Sequence, residues 1–393
     1  MLANKTVVLG VTGSIAAYKA ADLASRLTQA GARVEVIMTE PATRFVSPLT
    51  LRGVTGRPVV TSMWELNSEF SIEHVSLAEA ADIVVIAPAT ANVIAHLAGG
   101  LAGSILTATV LATTAPVVIA PAMNVNMYQN SVTQENIAKL KKRDFAFIGP
   151  DHGRLATGKK GAGRLASVEE ILGAVAQVLG KKGDLAGRRI VVTAGGTREP
   201  VDPVRYIGNR SSGKMGNALA EAARDRGAIV SLITTAGPPA AAGIEVTPVE
   251  TAKEMEGAVK KATAAADALI MAAAVADYRP KETAKSKIKK DAAGLTLKLT
   301  GTADILAGIS GNFIKVGFAA ESEDMIANAR RKLTEKGLDL IVANDITDKQ
   351  SGFGADTNKV TIIDKEGKEG KLPLLTKREV ADKVLDRVAG LLG

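Results

Sequence analysis

Runs of consecutive apolar residues, each closed by glycine, proline or hydroxyl residues, recur along the whole chain. Thr6-Val7-Val8-Leu9-Gly10-Val11 lacks polar alternation, the pattern of a strand buried on both faces in a parallel sheet. A helical pattern follows to about Ala30, with Gly31 as its stop, and Val34-Glu35-Val36-Ile37-Met38-Thr39 is the next strand. The same order returns through Ile83-Val84-Val85-Ile86-Ala87 and Pro116-Val117-Val118-Ile119-Ala120. Strand, turn, helix and strand in repetition predict a doubly wound parallel sheet, which binds ligands at the carboxyl ends of its strands.

A second series starts at Arg189-Ile190-Val191-Val192 and continues through residues 229–233, 268–272, 315–319 and 339–343, with helical patterns between them. Residues 359–363 read as a late strand, for which an antiparallel position is open. The closing helix, about 377–391, places Val380, Val384, Val388 and Leu391 at helical spacing. The expected fold is therefore α/β, with two doubly wound (Rossmann-like or flavodoxin-like) parallel-sheet domains over 1–180 and 188–393. Gly180-Lys181-Lys182-Gly183-Asp184 reads as the linker between them.

Composition narrows the function. At 393 residues the chain is too long for one typical core, and 46% apolar with 23% charged residues is the balance of a soluble globular protein. No apolar run reaches the roughly 18 residues of a membrane helix, and the first strand leaves no room for a signal peptide, so a cytoplasmic location is expected. The absence of cysteine excludes disulfides, thiolate nucleophiles and cysteine-ligated metals. The three histidines, His74, His96 and His152, do not suggest a multi-histidine metal site. The net charge of +8 is spread over both halves, 17 Lys and Arg against 14 Asp and Glu before residue 188 and 32 against 27 after it. With only 3% aromatics, nucleic acid and membranes are poor partners, and phosphorylated small molecules are better ones.

Each predicted strand end in the first half carries small or hydroxyl residues. They are Gly10, Thr12, Gly13 and Ser14; Thr39; Pro88-Ala89-Thr90-Ala91-Asn92; and Pro121-Ala122-Met123-Asn124. They let a flat, phosphate-bearing cofactor approach the backbone. The first turn is not Gly-x-Gly-x-x-Gly, which disfavours a dinucleotide. In the second half, Thr193-Ala194-Gly195-Gly196-Thr197 after a strand, with Asn209-Arg210-Ser211-Ser212-Gly213-Lys214 leading into a helix over 218–226, predicts an anion site.

The motifs Gly10-Val11-Thr12-Gly13-Ser14-Ile15-Ala16-Ala17-Tyr18-Lys19, His74-Val75-Ser76-Leu77, Ala87–Asn92 and Pro121-Ala122-Met123-Asn124-x-x-Met127 resemble the flavin-dependent cysteine decarboxylase family over about residues 1–180. The resemblance implies FMN at Gly13, Ser14, Thr39, Pro88, Ala89, Thr90 and Asn92. It makes His74 catalytic and sets Asn124, with Met127 nearby, against the substrate carboxylate and amide. In that family a mobile flap supplies a cysteine that helps protonate and reduce the enethiol. Here the matching position is Thr157, whose hydroxyl is far less acidic than a thiol. Three readings stay open: another donor (Lys159, His152 or water), a slow last step, or an engineered substitution. His96 is given no role.

Gly195-Gly196-Thr197-Arg198-Glu199-Pro200-x-Asp202-Pro203-Val204-Arg205 and Asn209–Gly216 closely resemble the phosphopantothenate–cysteine ligase family. Residues 272–278, 285–290, 317–321 and 343–345 match further elements. The resemblance runs from about 188 to the end and implies activation of 4′-phosphopantothenate by CTP as an acyl-cytidylate, which cysteine attacks. It implies Asn209 and Lys287 as catalytic, Arg210 with the substrate, and Gly195, Gly196, Ser211, Ser212, Asp277, Lys287, Lys289, Asp304, Ile305, Phe318, Lys332 and Lys336 around CTP. Mg2+ is implied with the triphosphate, without identifiable ligands. The two halves in this order resemble bifunctional coenzyme A biosynthetic proteins, and imply trimers through the first half, dimers through the second, and hence a dodecamer. One rival treats the first half as a flavin-binding regulatory module without catalysis. Another is a nicotinamide oxidoreductase, which the first turn disfavours.

Overall fold

The structure is a computed structural model that describes residues 2–63, 73–154, 158, 160–237, 243–290, 295–321, 323–345 and 354–393. The described residues form two compact units, one ending at Leu179 and the other starting at Gly180.

The first unit is built on six strands: β1 (Thr6–Val11), β2 (Arg33–Met38), β3 (Val59–Val60), β4 (Ile83–Ala89), β5 (Val117–Pro121) and β6 (Ala146–Phe147), in the order β3-β2-β1-β4-β5-β6. All neighbours run parallel. β1 and β4 are buried almost throughout, as uninterrupted apolar runs require when helices cover both faces. The helix Lys19–Gln29 covers one face with Ala20, Leu23, Ala24 and Leu27, spaced to share one side of a helix. Helices Ala91–Gly99 and Ile105–Ala112 cover the other through Ile94, Leu97 and Leu106. Strand order reverses between β1 and β4, so the connections leave in opposite directions and open a crevice there. A hairpin of β7 (Asp151–Arg154) and β8 (Lys160–Arg164) stands outside the sheet.

The second unit has β9 (Arg189–Ala194), a hairpin of β10 (Arg198–Pro200) and β11 (Tyr206–Gly208), then β12 (Ile229–Thr234), β13 (Glu245–Pro248) and β14 (Ala268–Met271). A second hairpin pairs β15 (Tyr278–Pro280) with β16 (Leu299–Gly301). Then come β17 (Ile314–Glu321), β18 (Leu340–Asp345), β19 (Thr357–Asn358), β20 (Val360–Asp364), β21 (Glu369–Lys371) and β22 (Leu375–Thr376). The main sheet runs β13-β12-β9-β14-β17-β18-β20-β21 and reverses between β9 and β14. It is parallel up to β18; β20 and β21 add antiparallel, so the late strand takes the antiparallel position left open by its sequence.

Three local readings are corrected. The stretch over 180–184 is no free linker: Asp184 pairs with Arg226, Leu185 N–H donates to the Arg226 carbonyl, and a side chain on Gly180 or Gly183 would collide with backbone of Asp225 or Arg226. Next, the β10–β11 hairpin separates the Gly195 turn from the helix that follows the Asn209–Gly213 stretch, and this helix is Lys214–Asp225, starting four residues before the expected Ala218. Finally, the closing helix Lys377–Leu392 packs through Val380, Ala381, Val384, Leu385 and Val388, while Leu391 is 39% exposed. Its stripe advances by four residues, which brings Leu392 and not Leu391 against the core. Among the described residues no helix is long and apolar enough to cross a membrane.

Candidate active sites

Four strand ends of the first unit meet at the β1–β4 crevice, and each delivers the start of a helix or tight turn. Ser14 Oγ accepts from Ala16 N–H at 3.3 Å, Thr90 Oγ1 from Val93 N–H at 3.4 Å and Asn124 Oδ1 from Asn126 N–H at 2.9 Å. Thr39 precedes the turn Glu40–Thr43 and donates its own N–H to the Val11 carbonyl. Side-chain oxygens that cap helix starts serve as local punctuation, and their convergence leaves several positive helix ends around one space. Thr12, fully buried, ties the crevice walls together. Its Oγ1 donates to the Pro88 carbonyl at 2.7 Å and accepts from Thr90 N–H at 3.0 Å.

Two cavities flank this junction and share Gly13, Thr90 and Met127. One, of about 460 Å³, adds Ser14, Tyr18, Lys19, Asn124, Arg154 and Arg164. The other, of about 650 Å³, adds Thr39, Thr61, Asn92, His96 and Ser104. Both are in the size range of small-molecule sites. The structure thus brings Gly13, Ser14, Thr39, Thr90, Asn92, Asn124 and Met127 together. Pro88 contributes its carbonyl to Thr12, and Ala89 is fully buried in β4; neither lines either of these two cavities. His74 is half-buried in the first turn of the helix Glu73–Ala80 and lines neither cavity. His96, given no role from sequence, lines the larger one.

The β7–β8 hairpin reaches the smaller cavity through Arg154, Gly163 and Arg164, and its base is tied down where Met123 N–H donates to the Gly163 carbonyl at 3.0 Å. His152 is exposed on β7. Thr157 and Lys159, the flap positions singled out from sequence, lie outside the described residues. At the hairpin foot, burial and then Glu170 push the Asp151 carboxyl above its usual range.

The second unit repeats the arrangement at its β9–β14 switch. A cavity of about 570 Å³ is lined by Asn209, Arg210, Asp277, Asp304, Ile305, Phe318, Lys332 and Lys336. Lys332 and Lys336 lie four apart near the end of the helix Met325–Glu335, so both reach it. Lys336 Nζ is 2.9 Å from Asp304 Oδ2; burial acts to raise the Asp304 carboxyl, but this ammonium and the Ala307 N–H outweigh it and hold the carboxyl below its usual range. Asn209 Nδ2 donates to the Val275 carbonyl at 2.9 Å.

A smaller cavity of about 130 Å³ adjoins through Ala273, Ala274, Phe318 and Ala320, and holds Ser211, Ser212, Lys214, Asn344, Asn358 and Lys377. Lys214 and Lys377 each open a helix, the positive end, and only the sequence position of a cation at a helix start hinted at them. Burial and then the Lys214 charge push the Lys377 ammonium below the usual lysine range.

Gly195 and Gly196 line neither cavity. A Cβ on Gly195 would meet Thr235 Oγ1 at 2.2 Å, and one on Gly196 would meet the Asn209 carbonyl at 2.3 Å. Their bare backbones instead lace the cavity floor: Ala274, which lines both cavities, donates its N–H to the Gly195 carbonyl at 2.8 Å, and Thr235 Oγ1 donates to the Gly196 carbonyl at 2.8 Å. Lys287 and Lys289 are exposed on the loop after β15 and line neither cavity. Arg205 turns to Asp202 and the Ile288 carbonyl.

Residues 1–180 match the family described as Flavoprotein, and residues 185–392 match the DNA/pantothenate metabolism flavoprotein C-terminal domain. The chain is 47% identical over 400 residues to the coenzyme A biosynthesis bifunctional protein CoaBC of Bacillus subtilis, covering 100% of this chain and 98% of that one. The protein of the same name from Mycobacterium tuberculosis is 43% identical over 409 residues, with 99% and 97% covered. A crystal structure of the C-terminal domain of a CoaBC protein is 39% identical, with a TM-score of 0.45, and covers 53% of this chain and 98% of that one. With each half matched to its own family and both relatives aligned along essentially their full lengths, the chain belongs to the family of bifunctional coenzyme A biosynthesis proteins.

Proposed function

We propose that this chain catalyses two successive steps of coenzyme A biosynthesis. The second unit joins cysteine to 4′-phosphopantothenate with CTP, and the first decarboxylates the 4′-phosphopantothenoylcysteine to 4′-phosphopantetheine with FMN. The observation that carries the reading is the full-length likeness to bifunctional relatives, with a ligand-sized cavity at the switch point of each unit. The same likeness favours two working halves over a flavin-binding regulatory module.

The first unit fits FMN. Hydroxyl and amide groups at helix starts, with Gly13 letting the backbone come close, match a phosphate and a flat ring better than an apolar ligand. Gly13, Ser14, Thr39, Thr90 and Asn92 would hold it. FMN, when bound, would take two electrons from the thiol end, which makes the substrate an electron sink for loss of CO2, and would return them to the resulting enethiol, so that the decarboxylation is redox-neutral overall. Asn124 orients the carboxylate and amide, and Arg154 and Arg164 on the hairpin close the substrate side. His74 acts as the proton-handling group, and Thr157 takes the flap position.

In the second unit a carboxylate needs activation before an amine can attack it. Lys332, Lys336 and Asp304 hold the nucleotide, and Ser211 and Ser212 lie at the anion end. Lys287 and Lys289 bring positive charge to the triphosphate, where the transition state gathers negative charge. Asn209 orients the activated acyl group and Arg210 the substrate. Mg2+ accompanies CTP. Assembly with further copies, as trimers through the first unit and dimers through the second and hence a dodecamer, belongs to the same proposal.

The test is a single incubation. Protein, 4′-phosphopantothenate, cysteine, CTP and Mg2+ should yield CMP, pyrophosphate and phosphopantetheine by mass spectrometry. Accumulation of unchanged phosphopantothenoylcysteine on flavin-loaded protein would remove the decarboxylase half of the proposal. Absence of CMP would remove the ligase half.

A further inference from the structure

Asp202 is a fully buried carboxylate that lines neither cavity and has no part in the chemistry above. Its Oδ1 accepts from the N–H groups of Val204 and Arg205, both at 2.8 Å. Those two bonds are local and shape the turn between β10 and β11. The third is not: Oδ2 accepts from Ile288 N–H at 3.1 Å, across 86 residues. Arg205 Nη2 completes the hold by donating to the Ile288 carbonyl at 3.0 Å. One acid and one base therefore grip both backbone groups of a single residue, as a neighbouring strand would. Burial acts to raise the Asp202 carboxyl, but the three N–H donors and Arg205 outweigh it, so it stays ionised well below neutral pH.

The gripped residue sits between Lys287 and Lys289, both exposed, while Ile288 itself is half-buried. Earlier in the loop, Thr283 Oγ1 donates to the Pro200 carbonyl and Ala284 N–H to the Val201 carbonyl, each at 3.0 Å. The loop departs from Asp277, which lines the larger cavity of this unit, so its lysines are tethered at the cavity side and again at Ile288. An untethered lysine stem on a polar loop would reach a bound triphosphate only in a small share of its conformations.

Building on the ligase reading, we infer that Asp202 is a positioning residue for the acyl-activation step. It acts through Ile288 to set Lys287 and Lys289 for the triphosphate. A misplacement of about 1 Å can cost on the order of a hundredfold in rate. Asp202→Asn keeps the size but cannot offer acceptors to both the turn and Ile288.

The experiment uses the full chain with CTP, Mg2+ and 4′-phosphopantothenate, without cysteine, and follows pyrophosphate release in a single turnover. Asp202→Asn should slow this step about 10- to 100-fold, while aminolysis of accumulated acyl-cytidylate after a cysteine chase changes less than about threefold. In a Lys287→Met, Lys289→Met background the same substitution should add little, because both groups it positions are gone. Equal losses in both half-reactions, or an undiminished loss in that double background, would overturn the inference. The second unit's own calorimetric transition, within a few degrees of wild type, serves as the folding control. If Asp202→Asn does not fold, Ile288→Pro deletes the gripped N–H from the other side. It should give the same selective loss, and an unaltered first step would overturn the inference. Should the wild type form no acyl-cytidylate, the ligase reading fails first. Hydrogen exchange over residues 284–290 then decides separately: faster exchange in Asp202→Asn upholds the clasp, and unchanged exchange overturns it.

Discussion

Thr12→Val offers a direct measure of how the first crevice is held. The two side chains are nearly the same shape, but the hydroxyl is lost from a site with 0% exposure. Two partners are then orphaned, the Pro88 carbonyl at 2.7 Å and the Thr90 N–H at 3.0 Å. A buried polar group left without its partner costs about 1–3 kcal/mol, and the added methyl recovers little in a fully packed site. Over the two groups the sum is about 2–6 kcal/mol. For a unit of this size each kcal/mol lowers the melting temperature by roughly 2–4 °C, so the first unit should melt about 4–24 °C lower. Calorimetry of the apoprotein should show this in the first unit's transition, since Thr12, Pro88 and Thr90 all belong to that unit. Because Thr90 begins a helix at the cavity, FMN should also bind more weakly, read by quenching of flavin fluorescence on titration. A first transition within about 2 °C of wild type would mean that the hydroxyl does not bridge the two strand ends, and the account of the crevice would fail.

Other substitutions separate packing, charge and nucleotide binding. Leu385→Ala empties a site with 0% exposure under the last helix and should cost about 2–5 kcal/mol in the second unit's transition alone. Lys336→Met removes one arm of a half-exposed ion pair, worth about 0–1 kcal/mol to stability, yet should raise KM for CTP roughly 10- to 100-fold because a charge-assisted bond to the nucleotide is lost. An unchanged KM would take Lys336 out of the site. Glu35 carries a pH signature: burial acts to raise its carboxyl, but Arg57 and then Arg33 hold it below the usual range. A depressed carboxyl stabilises fully above its unfolded value near pH 4.3 and loses that contribution as pH falls through the lower folded value. Glu35→Gln should therefore cost about 1–3 kcal/mol at pH 7, and the gap from wild type should shrink below about pH 4 in thermal melts. A gap independent of pH would refute the pairing.

Much of the architecture was open to reading from residue order alone. An apolar run such as Val7-Val8-Leu9 or Ile83-Val84-Val85-Ile86 has no polar face to give to water, and its short length and β-branched residues favour an interior strand of a parallel sheet over a buried helix. A hydroxyl or amide just past such a run, as at Ser14, Thr39, Thr90 and Asn124, announces both the end of a strand and the start of the next turn or helix. Because parallel strands all end on the same side, these residues had to gather, and Lys332 and Lys336 had to share a helix face.

The tertiary structure decided what depends on which chain segments meet. It made Gly195 and Gly196 packing glycines that order a cavity floor, since Thr235 and the Asn209 backbone fill the space a side chain would need. It turned the expected linker into part of the second unit, because polar loop composition is the same for a free loop and for one pinned by Arg226. Asp202 and Ile288, and Lys214 and Lys377, come together across the order in which strands enter the sheet. No local periodicity encodes that order, because the hydrogen bonds and charges that join such pairs form only after the backbone has closed the distance between them.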